Sequence, residues 1–253
     1  MTNSIRLSGR TGVHEDTADF RLRVLTTGSA EIVALAALIR TIREGRDEGI
    51  PLCLAVVGLL LLPWLAERLL SCRLRTGLFV AVSIYALGPV FGHVYRLYYT
   101  LRGYDKLLHI TGGVVFAILG VFLAQRLNRG KEAELLLCAV FGLCLGISVA
   151  AVWEFGEFAM DRLFGMDAQN DTLVTTVNSY LLGAEPGLLG STGRIESVVV
   201  NGVELEGYID IGLIDTMHDM MLESLGSLVY VSVYFLQNGK RPLMIPRPRA
   251  FKL

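Results

Sequence analysis

Long apolar runs alternate with short polar segments along most of this chain, from about residue 24 to residue 236. A helix needs about 20 apolar residues to cross the hydrocarbon core of a bilayer. We therefore predict six membrane-spanning helices, at roughly residues 24–40, 50–66, 77–96, 106–125, 134–158 and 209–236. The first run is short and contains Glu31, so a helix that lies in the membrane interface is its alternative.

The composition agrees with this pattern. The mean hydropathy is +0.52, and the charged residues concentrate between the apolar runs, as they do in the loops of a membrane bundle. The sequence thus predicts an all-α polytopic membrane bundle in which residues 1–253 form one integral membrane domain. The net charge of −1 leaves no basic surface for a nucleic acid, so the lipid bilayer is the expected partner.

The positions of Lys and Arg predict the orientation, because these residues are enriched in cytoplasmic loops. With six spans and a cytoplasmic N-terminus, 15 of the 23 Lys and Arg residues lie on the cytoplasmic side. If the first run does not cross, 11 lie inside against 12 outside, which is no bias. We therefore predict a multi-pass membrane protein with both termini in the cytoplasm.

The segment at about residues 160–208 differs from the other loops and is predicted to lie outside the cytoplasm. It is long and acidic, and it contains two β-prone runs on either side of Asn201-Gly202. This dipeptide favours a type I′ turn, so we predict a small β-hairpin there. A partner in the cell envelope could bind through this loop.

Three predicted spans carry pairs of ionisable residues about one helical turn apart, which is costly inside a membrane. The pairs are Asp105 with His109, Glu154 with Glu157, and Asp215 with Asp219, and Glu223 continues the last stripe. Residues three or four apart share one face of a helix. In the predicted topology all three pairs lie near the outer ends of their helices. We therefore expect them to face one another in the outer leaflet, away from lipid.

Carboxylate and imidazole groups bind hard and borderline divalent ions, and facing helices build such sites from pairs with this spacing. The predicted ligands of a divalent metal ion are His109, Glu154, Glu157, Asp215 and Asp219. Asp105 is expected to be a further ligand or the group that orients the imidazole. If the site is catalytic, Asp105, His218 and Glu223 are the candidates for proton transfer.

Two other interpretations of the same residues stay open. The acids could form a structural polar network, for which Arg96, Arg102 and Lys106 are the nearest basic partners in sequence. They could instead belong to a proton or ion pathway.

The segments "GYDKLLHITGG", "WEFGEF" and "DTMHDMMLESLGS" resemble, in this order, the motifs of the YjdF-type family of small bacterial inner-membrane proteins. The matching residues are Asp105, His109, Gly113, Glu154, Glu157, Asp215, Thr216 and Asp219. The resemblance covers roughly residues 90–235 and implies a fold, a location in the cell inner membrane and a shared polar site, without naming a reaction. The 57 residues between Glu157 and Asp215 exceed the family pattern, so we expect the hairpin loop to be an insertion that caps the site.

The leading hypothesis is an integral membrane protein with a carboxylate/histidine site at the outer leaflet. A divalent ion there could support hydrolysis or transfer on a lipid or envelope substrate. The alternatives are an ion- or proton-coupled transporter and a non-catalytic scaffold that binds a partner through the outer loop. Polar pairs confined to one leaflet argue against a transporter, whose sites usually lie near the midplane.

Overall fold

The computed structural model describes residues 17–69, 71–128, 134–239 and 247–248. Several basic residues that support the predicted orientation lie outside the described residues: Arg6, Arg10, Arg129, Lys131, Lys240, Arg241, Arg249 and Lys252. The cytoplasmic location of the termini therefore stays a prediction.

The described chain is mostly helical. Its α-helices are α1 (Thr17–Arg43), α2 (Ile50–Leu59), α3 (Leu62–Leu69), α4 (Thr76–Ala86), α5 (Gly88–His93), α6 (Leu97–Thr100), α7 (Tyr104–Leu127), α8 (Leu135–Phe164) and α9 (Leu213–Leu236). Its strands are β1 (Cys72–Arg73), β2 (Leu173–Val174), β3 (Asn178–Ser179), β4 (Gly190–Ser191), β5 (Val198–Val200), β6 (Val203–Leu205), β7 (Tyr208–Ile209) and β8 (Arg247–Pro248). Short 3-10 turns occur at Asp47–Gly49 and Tyr180–Leu182.

Six helical segments are long and apolar enough to cross a membrane, which confirms the predicted fold class. They are Thr17–Arg43, Ile50–Leu69, Thr76–His93, Tyr104–Gln125, Leu135–Phe164 and Leu213–Leu236. The first, which the sequence pattern made the weakest, is a continuous helix of 27 residues. Many of their large apolar side chains are exposed, as lipid-facing residues are.

Two of these segments are interrupted where proline residues occur. The second segment consists of α2 and α3, with Pro63 near the start of α3. The third consists of α4 and α5, which join at Leu87, and Pro89 lies in the first turn of α5. Proline has no backbone N–H and clashes with the preceding turn, so the helix breaks before it.

The strands confirm the predicted extracytoplasmic-loop hairpin as a structural element. β5 pairs with β6 around Asn201 and Gly202, whose φ angles of 50° and 85° are both positive, as a type I′ turn requires. The same loop contains the antiparallel pairs β2–β7 and β3–β4. We call the end of the bundle that carries this loop the loop side and the opposite end the tail side.

The tail side has its own polar contacts. Arg23 of α1 forms an ion pair with Glu67 at 2.7 Å, and both side chains are only 2% exposed. Arg23 also donates a hydrogen bond to the carbonyl oxygen of Leu74. β1 pairs with β8, so the segment after the second span and the segment after the sixth lie at the same end. Four predicted spans separate these two segments, and an even number of membrane crossings returns the chain to the same side.

Glycine residues bring α7, α8 and α9 into close contact. A Cβ atom at Gly113 of α7 would overlap the backbone carbonyl group of Glu223, and one at Gly226 of α9 would overlap that of Ile110. The buried hydroxyl group of Ser227 donates a hydrogen bond to the Gly113 carbonyl oxygen at 3.0 Å. Small residues and hydroxyl groups are the usual means of close helix packing in membranes. The three helices thus form a tight bundle that holds the polar residues of α7 and α9 near one another.

Asp210 anchors the loop to the start of α9. Its Oδ1 accepts hydrogen bonds from the backbone N–H groups of Thr172 at 2.8 Å and Gly212 at 3.2 Å, and its Oδ2 accepts one from Ile214 at 2.8 Å. Burial opposes ionisation of this carboxyl group, but the backbone N–H donors outweigh it, and the pKa of Asp210 is lowered. The ionised side chain therefore links the loop to the first turn of the helix.

We expect Gly113→Ala to destabilise the protein by about 1–3 kcal/mol, because the backbones of α7 and α9 must separate. The thermal unfolding midpoint in detergent, followed by circular dichroism, would measure this. Gly58→Ala is the matched control, since nothing lies within 4 Å of a Cβ atom there. Equal midpoints for the two variants would contradict the close approach at Gly113.

We expect the hydrogen bonds that Asp210 accepts at the start of α9 to weaken when its carboxylate is protonated. A lowered folded-state pKa means that the ionised carboxylate contributes stability above the ordinary value of about 3.9. That contribution is lost as the pH falls through the folded-state pKa. Hydrogen exchange at Thr172, Gly212 and Ile214, corrected for its intrinsic pH dependence, should accelerate over this range.

The Asp210→Ala substitution should remove this pH dependence. In that variant the three amides should exchange fast at every pH. Glu204→Ala, in the exposed part of the β5–β6 hairpin, is the control and should leave these amides unchanged. A pH response that persists in Asp210→Ala would assign it to another group.

Candidate functional site

The polar residues singled out in the sequence lie at the loop side of the three-helix bundle. Asp105 and His109 are in the first two turns of α7, and Asp215, Asp219 and Glu223 follow one another along α9. Both helices begin at the loop side, and α8 ends there. The chain direction therefore brings residues that are more than 100 positions apart to one depth of the bundle.

Lys106 is the basic partner of these acids. Its Nζ atom lies 2.7 Å from Asp215 Oδ1, 2.7 Å from Asp219 Oδ1 and 3.0 Å from Asp105 Oδ2. One ammonium group therefore joins a carboxylate of its own helix to two carboxylates of α9. Within the described part of the chain, neither Arg96 nor Arg102 forms an ion pair with these acids.

His109 lies on the other side of the same carboxylates and is only 6% exposed. Its Nε2 atom is 3.5 Å from Asp105 Oδ1 and 3.5 Å from Asp219 Oδ2. These are the two oxygen atoms that Lys106 does not bind. Its Nδ1 atom is 3.6 Å from Glu223 Oε2, so the imidazole lies between carboxylates at both nitrogen atoms.

This arrangement fits the geometry of a metal site. One nitrogen atom of His109 and one oxygen atom each of Asp105 and Asp219 all lie within 4.8 Å of one another. Two ligands bound tetrahedrally at about 2.0 Å from a zinc ion are about 3.3 Å apart, close to the 3.5 Å found here. The carboxylate at Nδ1 matches the usual way in which metal-binding imidazoles are oriented.

The two glutamates of α8 lie in different surroundings. Glu154 is 4% exposed, and neither of its carboxyl oxygen atoms has a hydrogen-bond partner of good geometry among the described residues. The Thr216 hydroxyl group nevertheless interacts with this carboxyl group. Glu157 is half-buried, and its Oε1 accepts a hydrogen bond of 2.8 Å from Trp153 Nε1. Neither belongs to the three-residue metal-compatible group.

The loop contributes two residues to the site that the sequence patterns did not reveal. The side-chain amide of Asn170 donates a hydrogen bond to Asp215 Oδ2 at 3.1 Å, and that of Gln169 donates one to Thr216. The sequence offers three basic candidates as partners of these acids, and only the position of Lys106 between Asp105 and His109 favours it over the two arginines. An amide in a long loop gives no comparable signal, because nothing in its spacing relates it to α9.

His218 does not join these residues. It is exposed, and it lies about 100° around α9 from Asp219. Of the three residues considered for proton transfer, Asp105 and Glu223 are in the cluster and His218 is outside it.

The sequence comparison identifies the family. Residues 26–240 match the family described as "Predicted membrane protein (DUF2238)". The chain belongs to this family. The assignment is consistent with the resemblance to YjdF-type membrane proteins, and the family description names no activity. Neither the curated proteins nor the solved structures contain a match to this chain.

We expect Lys106→Gln to destabilise this family member, because Asp105, Asp215 and Asp219 would lose the ammonium group that all three bind. The loss should be about 1–3 kcal/mol, at the lower end for buried ion pairs because Lys106 is 37% exposed. Thermal unfolding in detergent would measure it. Adding Asp215→Asn to Lys106→Gln should recover part of the stability, since it removes one unpaired charge. A double variant less stable than the single variant would contradict this account.

Proposed function

We propose that this membrane protein binds one divalent transition-metal ion through Asp105, His109 and Asp219, and that the ion promotes hydrolysis or transfer on a lipid or envelope substrate. The observation that carries the proposal is the position of His109 Nε2, 3.5 Å from one oxygen atom of each aspartate. The other oxygen atom of each is bonded to Lys106. An ion could therefore bind without displacing the lysine.

The balance of charge supports a bound cation. The carboxyl groups that the three helices carry around Lys106 and His109 include Asp105, Glu154, Glu157, Asp215, Asp219 and Glu223. One ammonium group and one imidazole face them, so negative charge remains even when His109 is protonated. Uncompensated charge is expensive in a membrane protein. A divalent ion offsets two of these charges, and shared protons are the alternative way to do so.

The set of ligands supports catalysis more than a purely structural role for the ion. Structural zinc sites usually have four protein ligands, whereas catalytic sites have three and keep one position for water or substrate. An ion with three protein ligands and one open position can polarise a substrate oxygen atom or activate water. Among the described residues, Glu154 is the best suited to accept a proton from such a water or to act as a fourth ligand, because its carboxyl group is buried and neither oxygen atom forms a hydrogen bond of good geometry there.

A structural polar network is the competing function, and the three contacts of Lys106 favour it. In that case His109 is protonated and forms ion pairs with Asp105, Asp219 and Glu223. The two possibilities differ in whether purified protein retains metal.

We expect near-stoichiometric metal in protein purified in mild detergent without chelators or a His-tag, measured by mass spectrometry. His109→Gln and the double variant Asp105→Asn/Asp219→Asn should lose it, because each removes ligands from a three-ligand site. Glu223→Gln should weaken binding by about 10–100-fold, as loss of an orienting carboxylate does. His218→Gln, on the same helix but outside the cluster, is the matched control and should retain metal.

Glu154→Gln separates the two roles of that residue. Retained metal with lost hydrolytic activity would make it a proton acceptor, whereas lost metal would make it a ligand. Folded wild-type protein that holds no metal, even after incubation with Zn²⁺, Mn²⁺ or Mg²⁺, would refute the proposal in favour of the network.

A further inference from the structure

A cavity of about 70 Å³ lies beside the site, at the loop side between α8, the loop and the first helices. This is several times the space of about 10–15 Å³ that holds one water molecule. Its lining includes three aromatic residues and two acids: Tyr98, Tyr99, Trp153, Glu157 and Asp167. Among the described residues that line it, His93 is basic and none is Lys or Arg.

The aromatic rings and the acids of this lining favour a cation over an anion. The faces of Trp and Tyr rings attract ammonium groups, and a carboxylate at the same site adds a charge-assisted hydrogen bond. Trp153 also orients the acid, because its Nε1 donates a hydrogen bond to Glu157 Oε1 at 2.8 Å. The lysine closest in sequence to the site, Lys106, is bonded to three other carboxylates and is not part of the lining.

We propose that this cavity binds an organic ammonium group, with Trp153 and Tyr99 as aromatic contacts and Glu157 as the counter-ion. The size of the cavity suits a small head group. The ammonium group belongs either to a lipid head group in the outer leaflet or to a free amine. Binding requires no metal ion.

The cavity adjoins the wider carboxylate/histidine site at two places. Asn170 lines the cavity and donates a hydrogen bond to Asp215, which is itself bonded to Lys106. Glu157 lies three residues after Glu154 on α8. A ligand held by its ammonium group would therefore lie next to the carboxylate/histidine site. That this ligand is the substrate of a metal-dependent reaction rests on the proposed function.

The two tryptophans of the chain make the cavity directly observable. Trp153 lines it, whereas Trp64 lies in α3 at the tail side and bonds Thr27. In a Trp64→Phe background the fluorescence reports only on Trp153. Titration with ethanolamine hydrochloride or tetramethylammonium chloride, in an uncharged detergent, should give a saturable change. Sodium chloride at equal ionic strength should give none.

Glu157→Gln in this background should weaken the response by about tenfold or more, because a charged hydrogen-bond partner is lost. Glu134→Gln, at the opposite end of α8, is the matched control and should respond like the parent. Tyr99→Leu tests the aromatic contact at a residue that is 71% exposed, so the variant is expected to fold, and it should bind the amine several-fold more weakly. An unchanged response in both Glu157→Gln and Tyr99→Leu would overturn the proposal, as would a response that sodium chloride reproduces.

Two further measurements identify the source of the ammonium group and test whether this cavity binds it independently of the metal site. Nanodiscs of phosphatidylethanolamine and of phosphatidylglycerol with the same acyl chains should give different Trp153 spectra if the ligand is a lipid head group. Equal spectra, together with a response to soluble amines, indicate a free amine.

The amine titration is then repeated on His109→Gln protein. A retained response there supports an independent cavity whatever the metal content, and a lost response contradicts it.

Discussion

The ammonium group of Lys106 determines how the loop side of this bundle is assembled. It binds one oxygen atom of each of three aspartates, two of which belong to a different helix. Without it, three carboxylates would face one another in a region of low dielectric constant, where repulsion and desolvation both oppose folding. Because each carboxylate has a second oxygen atom, the same contacts direct the remaining oxygen atoms of Asp105 and Asp219 toward His109, and that of Asp215 toward Asn170.

The close approach of the helices makes these contacts possible. Aspartate side chains are short, so α7 and α9 must lie near each other for one lysine to reach carboxylates on both. Gly113 and Gly226 permit this, since a Cβ atom at either position would overlap the backbone of the other helix. Ser227 adds a buried hydrogen bond to the Gly113 carbonyl oxygen. Packing and electrostatics therefore depend on each other, as is typical where small residues line a helix interface in a membrane.

The loop completes the site. Asp210 fixes the loop to the start of α9, and the residues that follow α8 then place Asn170 against Asp215 and in the wall of the aromatic cavity. Asn170 thus contacts both the cavity and one of the aspartates that Lys106 binds.

The sequence by itself determined the six helical segments, because each apolar run must satisfy its own backbone hydrogen bonds in lipid. It also determined the hairpin at Asn201-Gly202, whose turn geometry is local, and it indicated which polar residues share a helix face. Only the tertiary structure decided which residues are partners. The choice of Lys106 over Arg96 and Arg102, the exclusion of His218 and the inclusion of Gln169 and Asn170 depend on helix rotation and on the path of the loop. Those are set by packing between distant segments, which residue spacing along one helix does not encode.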